Sequence, residues 1–202
     1  MSPRTGRRAG ESGTREAVLD AARERFAEFG YDGATIRAIA ADAGVDSSLV
    51  HHFYGTKEQL FAKAVGFPAV PSEVLAEVME GGLSNVGDAV VRSFLKLWEI
   101  DDGTEKITAL LRSAVANEAA MRMLREFLTS AILSVVATRL EVADAGFRAS
   151  LRASQILGLA MARYVFQLRP LTDASVEEVA DAVGPTLQRY LTGRISAQAR
   201  TQ

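Results

Sequence analysis

The stretch Thr35–Lys57 reads TIRAIAADAGVDSSLVHHFYGTK, and the reading of the whole chain turns on its spacing. Two short helices crossing through a tight turn need particular residues at fixed offsets. Ala40 is small enough to let the second helix approach closely. Gly44 takes a positive φ without steric cost and so turns the chain sharply. Val45 is placed to insert between the helices, Ile36 and Ile39 to anchor the first, and Val50 and Phe53 to bury the back of the second. Each position answers one geometric demand, and together they predict a helix-turn-helix.

With Val50 and Phe53 inward, the second helix presents Ser47, Ser48, His51 and His52 outward, with Leu49 at the flank. Ser and His hydrogen-bond to base edges or phosphates, and Leu49 offers apolar surface to a thymine methyl. Arg37, on the preceding helix, is the nearest long cation, and Thr35 opens that helix. Thr56 and Gln59 form a capping box that starts a further helix, with Lys57 in its first turn. A helix N-terminus beside a lysine suits a phosphate. The candidate DNA contacts are therefore Thr35, Arg37, Ser47, Ser48, Leu49, His51, His52 and Lys57.

The rest of the chain supports an all-α protein of nine to ten helices. Apolar residues recur at i, i+3, i+4 from Thr14 to Tyr190, and no alternating β-branched run interrupts them. The first helix is expected from about Arg15 to Phe29, with Val18, Ala22, Phe26 and Phe29 buried and Glu16, Asp20, Glu24 and Glu28 in solvent. Pro68 and Pro71 mark a seam. The expected organisation is a flexible basic arm over 1–13, a helix-turn-helix domain over 14–67, a helical body over 68–194 and a disordered tail over 195–202. Arg4, Arg7 and Arg8 of the arm read equally as a solvated tail or as a minor-groove contact.

Composition narrows the function. The net charge of −2 confines any nucleic-acid site to a local patch, and the absence of cysteine removes disulfides and thiolate metal sites. No stretch reaches the ~20 apolar residues of a membrane span, and no signal peptide is visible, so a reducing cytoplasm is the expected location. Neighbouring positions on a helix diverge, so His51 and His52 do not form a metal pair. No cofactor is expected. An enzyme is disfavoured, because no Gly-rich phosphate loop and no carboxylate pair in an apolar setting is found. The competing reading is a helical interaction module that no longer binds DNA.

In the body, the segment from Phe147 to Leu168 mixes small residues with Leu151, Ile156, Leu159 and Val165. The last helix opens with the capping box Ser175–Glu178 and carries Val176, Val179, Val183, Leu187 and Tyr190, with Pro185 expected to kink it. Both helices suit a partner subunit, and a homodimer doubles the bases one short helix can read. Phe94, Trp98, Met121, Phe127, Met161 and Tyr164 are the candidate lining of a pocket for an apolar or aromatic small-molecule effector.

The lead segment TREAVLDAARERFAEFGYDGAT and the motif IAADAGVDSSLVHHFYGTKEQLF resemble the DNA-binding domain of the TetR (tetracycline-repressor-like) family. FLKLWE, LLRSAV, ARYVFQLRPL and PTLQRYLTG are similar to one branch of it. The resemblance implies a third helix reading the major groove, a backbone contact from Lys57, a four-helix dimer interface, and repression of a palindromic operator relieved by an effector. The chain departs from the usual pattern at Ser48 (commonly Gly or Ala), at His51 and His52 (commonly Tyr) and at Tyr54 (commonly Phe).

Overall fold

The computed structural model describes residues 6–100, 102–139 and 145–195. Among them are ten α-helices and no strand: α1 Gly6–Gly33, α2 Ile36–Asp42, α3 Ser47–Tyr54, α4 Lys57–Val65, α5 Pro71–Glu80, α6 Val86–Glu99, α7 Gly103–Ala116, α8 Glu118–Arg139, α9 Ala145–Ala160 and α10 Val176–Leu191. Helix α1 begins at Gly6, inside the segment expected as an arm. Arg7, Arg8, Ala9 and Glu11 all tolerate helix, and extending a formed helix costs little. Arg4 and residues 196–202 lie outside the described residues.

Contacts divide the chain into two compact units. The first unites everything up to Val70 with Ala109–Ala131; the second unites Pro71–Thr108 with Ile132 onward.

The first unit closes around aromatic rings. Val18, Ala22 and Phe26, spaced four apart on α1, are buried with Ile39, Ala40, Val50, Leu60 and Phe61. Leu124 and Phe127 of α8 join the same cluster. Phe61 meets Phe26 edge-on at 4.8 Å and Phe127 at 4.4 Å, while Tyr31 meets Phe61 at 5.1 Å and Phe127 at 5.4 Å. Such pairs each add about 0.5–1.5 kcal/mol beyond the area they bury. Phe29 does not share this interior. Gly30 leaves helical geometry at φ 75°, which carries Tyr31 into the core and leaves Phe29 46% exposed under the Arg25 guanidinium. Glu16, Asp20, Glu24 and Glu28 face solvent. Arg23 donates to the carbonyl of Ala64 at 3.1 Å and so ties α1 to the end of α4.

The second unit closes by backbone proximity. Helices α6 and α10 cross where Gly87 faces Gly184; a Cβ on Gly87 would lie 2.3 Å from the Gly184 carbonyl oxygen. The Gly87 N–H donates to Gln188 Oε1 at 2.8 Å. Val91 and Leu95 pack there with Leu159, Val179, Ala180 and Leu187, and Val78, Met79, Val86 and Leu191 form a smaller cluster beside them. Helix α10 opens with the Ser175–Glu178 capping box and runs through Pro185. Arg92 bridges Asp88, Glu177 and Asp181 across the α6–α10 pair.

Candidate nucleic-acid interface

Helix α3 is held from behind and at both ends. Val50 is fully buried, and Val45 packs half-buried against the same core. Gly44 has φ 66°, and the Val45 N–H returns to the Ala40 carbonyl at 2.9 Å, closing the turn between α2 and α3. Phe53, expected to face inward, is half-buried at the flank. Tyr54, four residues after Val50, packs against the core in its place, and its hydroxyl donates to the Arg15 carbonyl at 2.7 Å. A residue four positions on lies closer to the Val50 face than one three positions on.

The N-terminal ends are satisfied internally. Thr35 Oγ1 accepts from the Ala38 amide at 3.2 Å, and Asp46 Oδ1 accepts from the Ser48 amide at 2.8 Å. The Ser48 hydroxyl, then its amide, holds the Asp46 carboxyl below the ordinary carboxylate range. The cap takes up the Ser48 amide, on a residue that is itself exposed. It also places one carboxylate at the start of α3 that the outward-face reading does not count. Thr56 and Gln59 form the reciprocal capping box, at 3.2 Å and 2.7 Å.

Of the predicted contacts, Thr35, Arg37, Ser48, His51 and His52 are exposed, while Ser47, Leu49 and Lys57 are half-buried. Arg37 has no side-chain hydrogen bond or ion pair among the described residues. His51 Nδ1 lies 2.8 Å from the Gly55 carbonyl oxygen, and the Gly55 N–H donates to the His51 carbonyl at 2.9 Å. Lys57 is placed differently from a free phosphate anchor. Its ammonium donates to the Asp32 carbonyl at 3.3 Å and lies 4.6 Å from the centre of the Tyr31 ring. Burial pulls its pKa below the ordinary value, against the opposing pull of Asp32 and Glu126. Burial likewise pushes the Tyr31 phenol up to about 12. Glu126 of α8 accepts from the Asp32 amide at 3.2 Å, so the lysine belongs to a chain of contacts reaching α8.

Two cations escaped the sequence reading. A surface depression of about 650 Å³ is lined by Arg15, His51, His52, Phe53, Tyr54, Gly55, Gln59 and Lys63, without a carboxylate. The Arg15 guanidinium sits 4.9 Å over the Phe53 ring. Its neighbourhood depends on contacts 39 residues apart in sequence, which no local pattern signals.

The six residues read as an effector pocket fall in both units. Phe127 is at the centre of the first unit's aromatic cluster, and Met121 of that unit is 40% exposed. Phe94, Trp98, Met161 and Tyr164 belong to the second unit. Trp98 is stacked on Tyr164 at 4.5 Å with Phe94 edge-on at 6.1 Å. The Trp98 indole is 2% exposed, and its N–H has no acceptor among the described residues. Tyr164 and Met161 lie on a π-helical turn, Met161–Val165, that continues α9. Among the described residues, no group of three or more His, Asp or Glu is disposed to hold a metal ion, and no helix is long and apolar enough to cross a membrane.

Comparison with known proteins meets this geometry from outside. Residues 18–64 match the family model described as bacterial regulatory proteins, tetR family, and residues 84–191 match the tetracyclin repressor-like C-terminal domain. The crystal structure of a TetR-family regulator from Streptomyces coelicolor A3 is 41% identical, covers 93% of this chain and 99% of its own, and superposes with a TM-score of 0.51. Among curated proteins, the repressor AcnR of Corynebacterium efficiens is 36% identical over 91 residues, 42% of this chain and 47% of its own length. The repressor Rv3405c of Mycobacterium tuberculosis is 34% identical over 102 residues, 46% of this chain and 54% of its own. The chain spans about half the length of these curated relatives. With matched models at both the reading helices and the α6–α10 body, this chain belongs to the TetR family of bacterial regulatory proteins.

Proposed function

We propose that the chain is a non-enzymatic, sequence-specific DNA-binding regulator of transcription. It acts in the cytoplasm as a homodimer and represses from a palindromic operator until a small apolar or aromatic effector releases it. One observation carries the DNA half. A helix capped at both ends and buried along Val50 presents Ser47, Ser48, His51 and His52, with the unpaired Arg37 beside it and Arg15 and Lys63 in the adjoining depression. Fixed cations hold the backbone, and the short polar side chains read base edges.

Dimerisation is supported by α9, where Ser150, Ser154 and Leu157 are exposed at helical spacing and Gly158 has open space around its Cβ position. The effector half is supported by Phe94, Trp98, Met161 and Tyr164, where a buried indole N–H lacks an acceptor. An aromatic compound with one hydrogen-bond acceptor would satisfy it. An effector that weakens operator binding must itself be held less tightly by the operator complex.

Selection of bound duplexes from a random pool tests the reading. A palindrome is the expected outcome, with affinity falling steeply as salt rises. Arg37→Ala is expected to relax base preference, and Lys63→Ala to weaken every duplex alike. If no duplex is enriched at any salt concentration, the chain is instead a helical protein-interaction module.

A further inference from the structure

We infer that His51 reads an exocyclic amino group, that of adenine or cytosine, by accepting a hydrogen bond at Nε2. The inference rests on the DNA-binding reading above and adds what this residue recognises.

The Gly55 carbonyl can only accept, so at 2.8 Å the His51 Nδ1 must carry the proton. A neutral ring protonated at Nδ1 has a bare lone pair at Nε2. The two nitrogens point to opposite sides of the ring. With Nδ1 turned onto the end of α3, Nε2 therefore faces away from it, on a side chain that is exposed.

The carbonyl that sets this tautomer is itself fixed. Gly55 donates back to the His51 carbonyl at 2.9 Å, and its φ of 71° is one that other residues adopt only under strain. A Cβ there would also collide with Gln59, whose side chain is engaged in the capping box of α4. The geometry around His51 is thus built from backbone and does not depend on a movable partner.

A bare nitrogen is repelled by phosphate oxygens and by the O6 and N7 of guanine, which are acceptors as well. In the major groove its complement is the N6 amino group of adenine or the N4 amino group of cytosine. His52 differs. It makes no hydrogen bond among the described residues, so either of its nitrogens is free to donate, which suits a phosphate. The other titratable groups lining the depression that His51 shares are Arg15 of α1, Lys63 of α4, and His52 and Tyr54 of α3.

Two measurements on the full-length chain test this. Long-range ¹⁵N–¹H spectra of histidine-labelled protein are expected to show His51 protonated at Nδ1 and bare at Nε2. At a pH where those spectra show the ring neutral, duplexes are selected with the wild type and with His51→Ala. The wild type should prefer one base pair at one position per half-site by about five- to tenfold, the size of a modest base contact, and should lose that margin when purine replaces the adenine, or 2-pyrimidinone the cytosine, of that pair. His51→Ala should lose that preference alone, with the salt dependence unchanged. Protonation at Nε2 overturns the inference. So does an unchanged affinity when that amino group is removed from the base pair that His51→Ala releases. So does a uniform loss across all duplexes with a shallower salt slope, which marks a phosphate contact. If the wild type enriches no duplex, the DNA-binding reading fails first and this inference falls with it.

Discussion

The two units of this chain solve one packing problem by opposite means. Around Phe61, large rings meet edge to face or tilted and fill the space between helices that are held apart. At Gly87 and Gly184, side chains are absent and two helix backbones touch. The first solution fails when atoms are removed, the second when they are added. An aromatic interior also spreads its contacts over several helices, whereas a glycine crossing concentrates them at one point of one helix pair.

Removing a ring should give the largest effect. Phe61→Ala is expected to cost about 3–5 kcal/mol, measured by denaturant unfolding, because the ring is 1% exposed and touches three other rings. A loss under about 1 kcal/mol would show that the cluster collapses to fill the gap. The converse change comes next. Ala in place of Gly within a helix ordinarily gains about 1 kcal/mol of propensity. At Gly87 the new carbon meets the Gly184 oxygen at 2.3 Å and the Gln188 nitrogen at 2.5 Å, both backbone atoms that cannot rotate away. Overpacking of that kind costs about 1–3 kcal/mol, so Gly87→Ala should be destabilising on balance. Stabilisation would mean that the crossing is loose. Thr56→Ala, which removes one half of the α4 capping box, is expected to lose about 1 kcal/mol.

The smallest effect is one of pH. The Asp46 carboxyl is held below its ordinary value, so its contribution is complete above about pH 4 and is lost as pH falls through the folded value. Asp46→Asn keeps a capping side chain. It should leave neutral-pH stability nearly unchanged while flattening the acid limb of the melting temperature. Equal acid limbs in the two proteins would remove Asp46 from the account.

These contrasts also show what the sequence makes legible. Caps and turns are local, so the Thr56–Gln59 and Ser175–Glu178 boxes and the positive φ of Gly44 can be read from neighbouring letters. Periodicity assigns a face but not the partner that covers it. Phe29 and Phe53 sit on apolar stripes, yet Tyr31 takes the interior because Gly30 redirects the chain, and Tyr54 because it follows Val50 by four positions instead of three. Phe127 reads as a pocket residue until its neighbours Phe61 and Tyr31, more than sixty positions away, are known. At the site, the outward letters of α3 are visible in sequence. The proton on His51 and the company of Arg15 are not, since both depend on where a backbone oxygen lies.

The inclusion of Ala109–Ala131 in the first unit bears on how the protein is made. A ribosome releases the reading helices long before it releases α8. Until Leu124 and Phe127 emerge, the rings of Phe61 and Tyr31 lack part of their cover, and the nascent segment presents an apolar surface to its surroundings. The DNA-reading end, though synthesised first, is completed late. A fragment cut after residue 67 would carry every candidate base contact and still lack part of the interior that holds them in place.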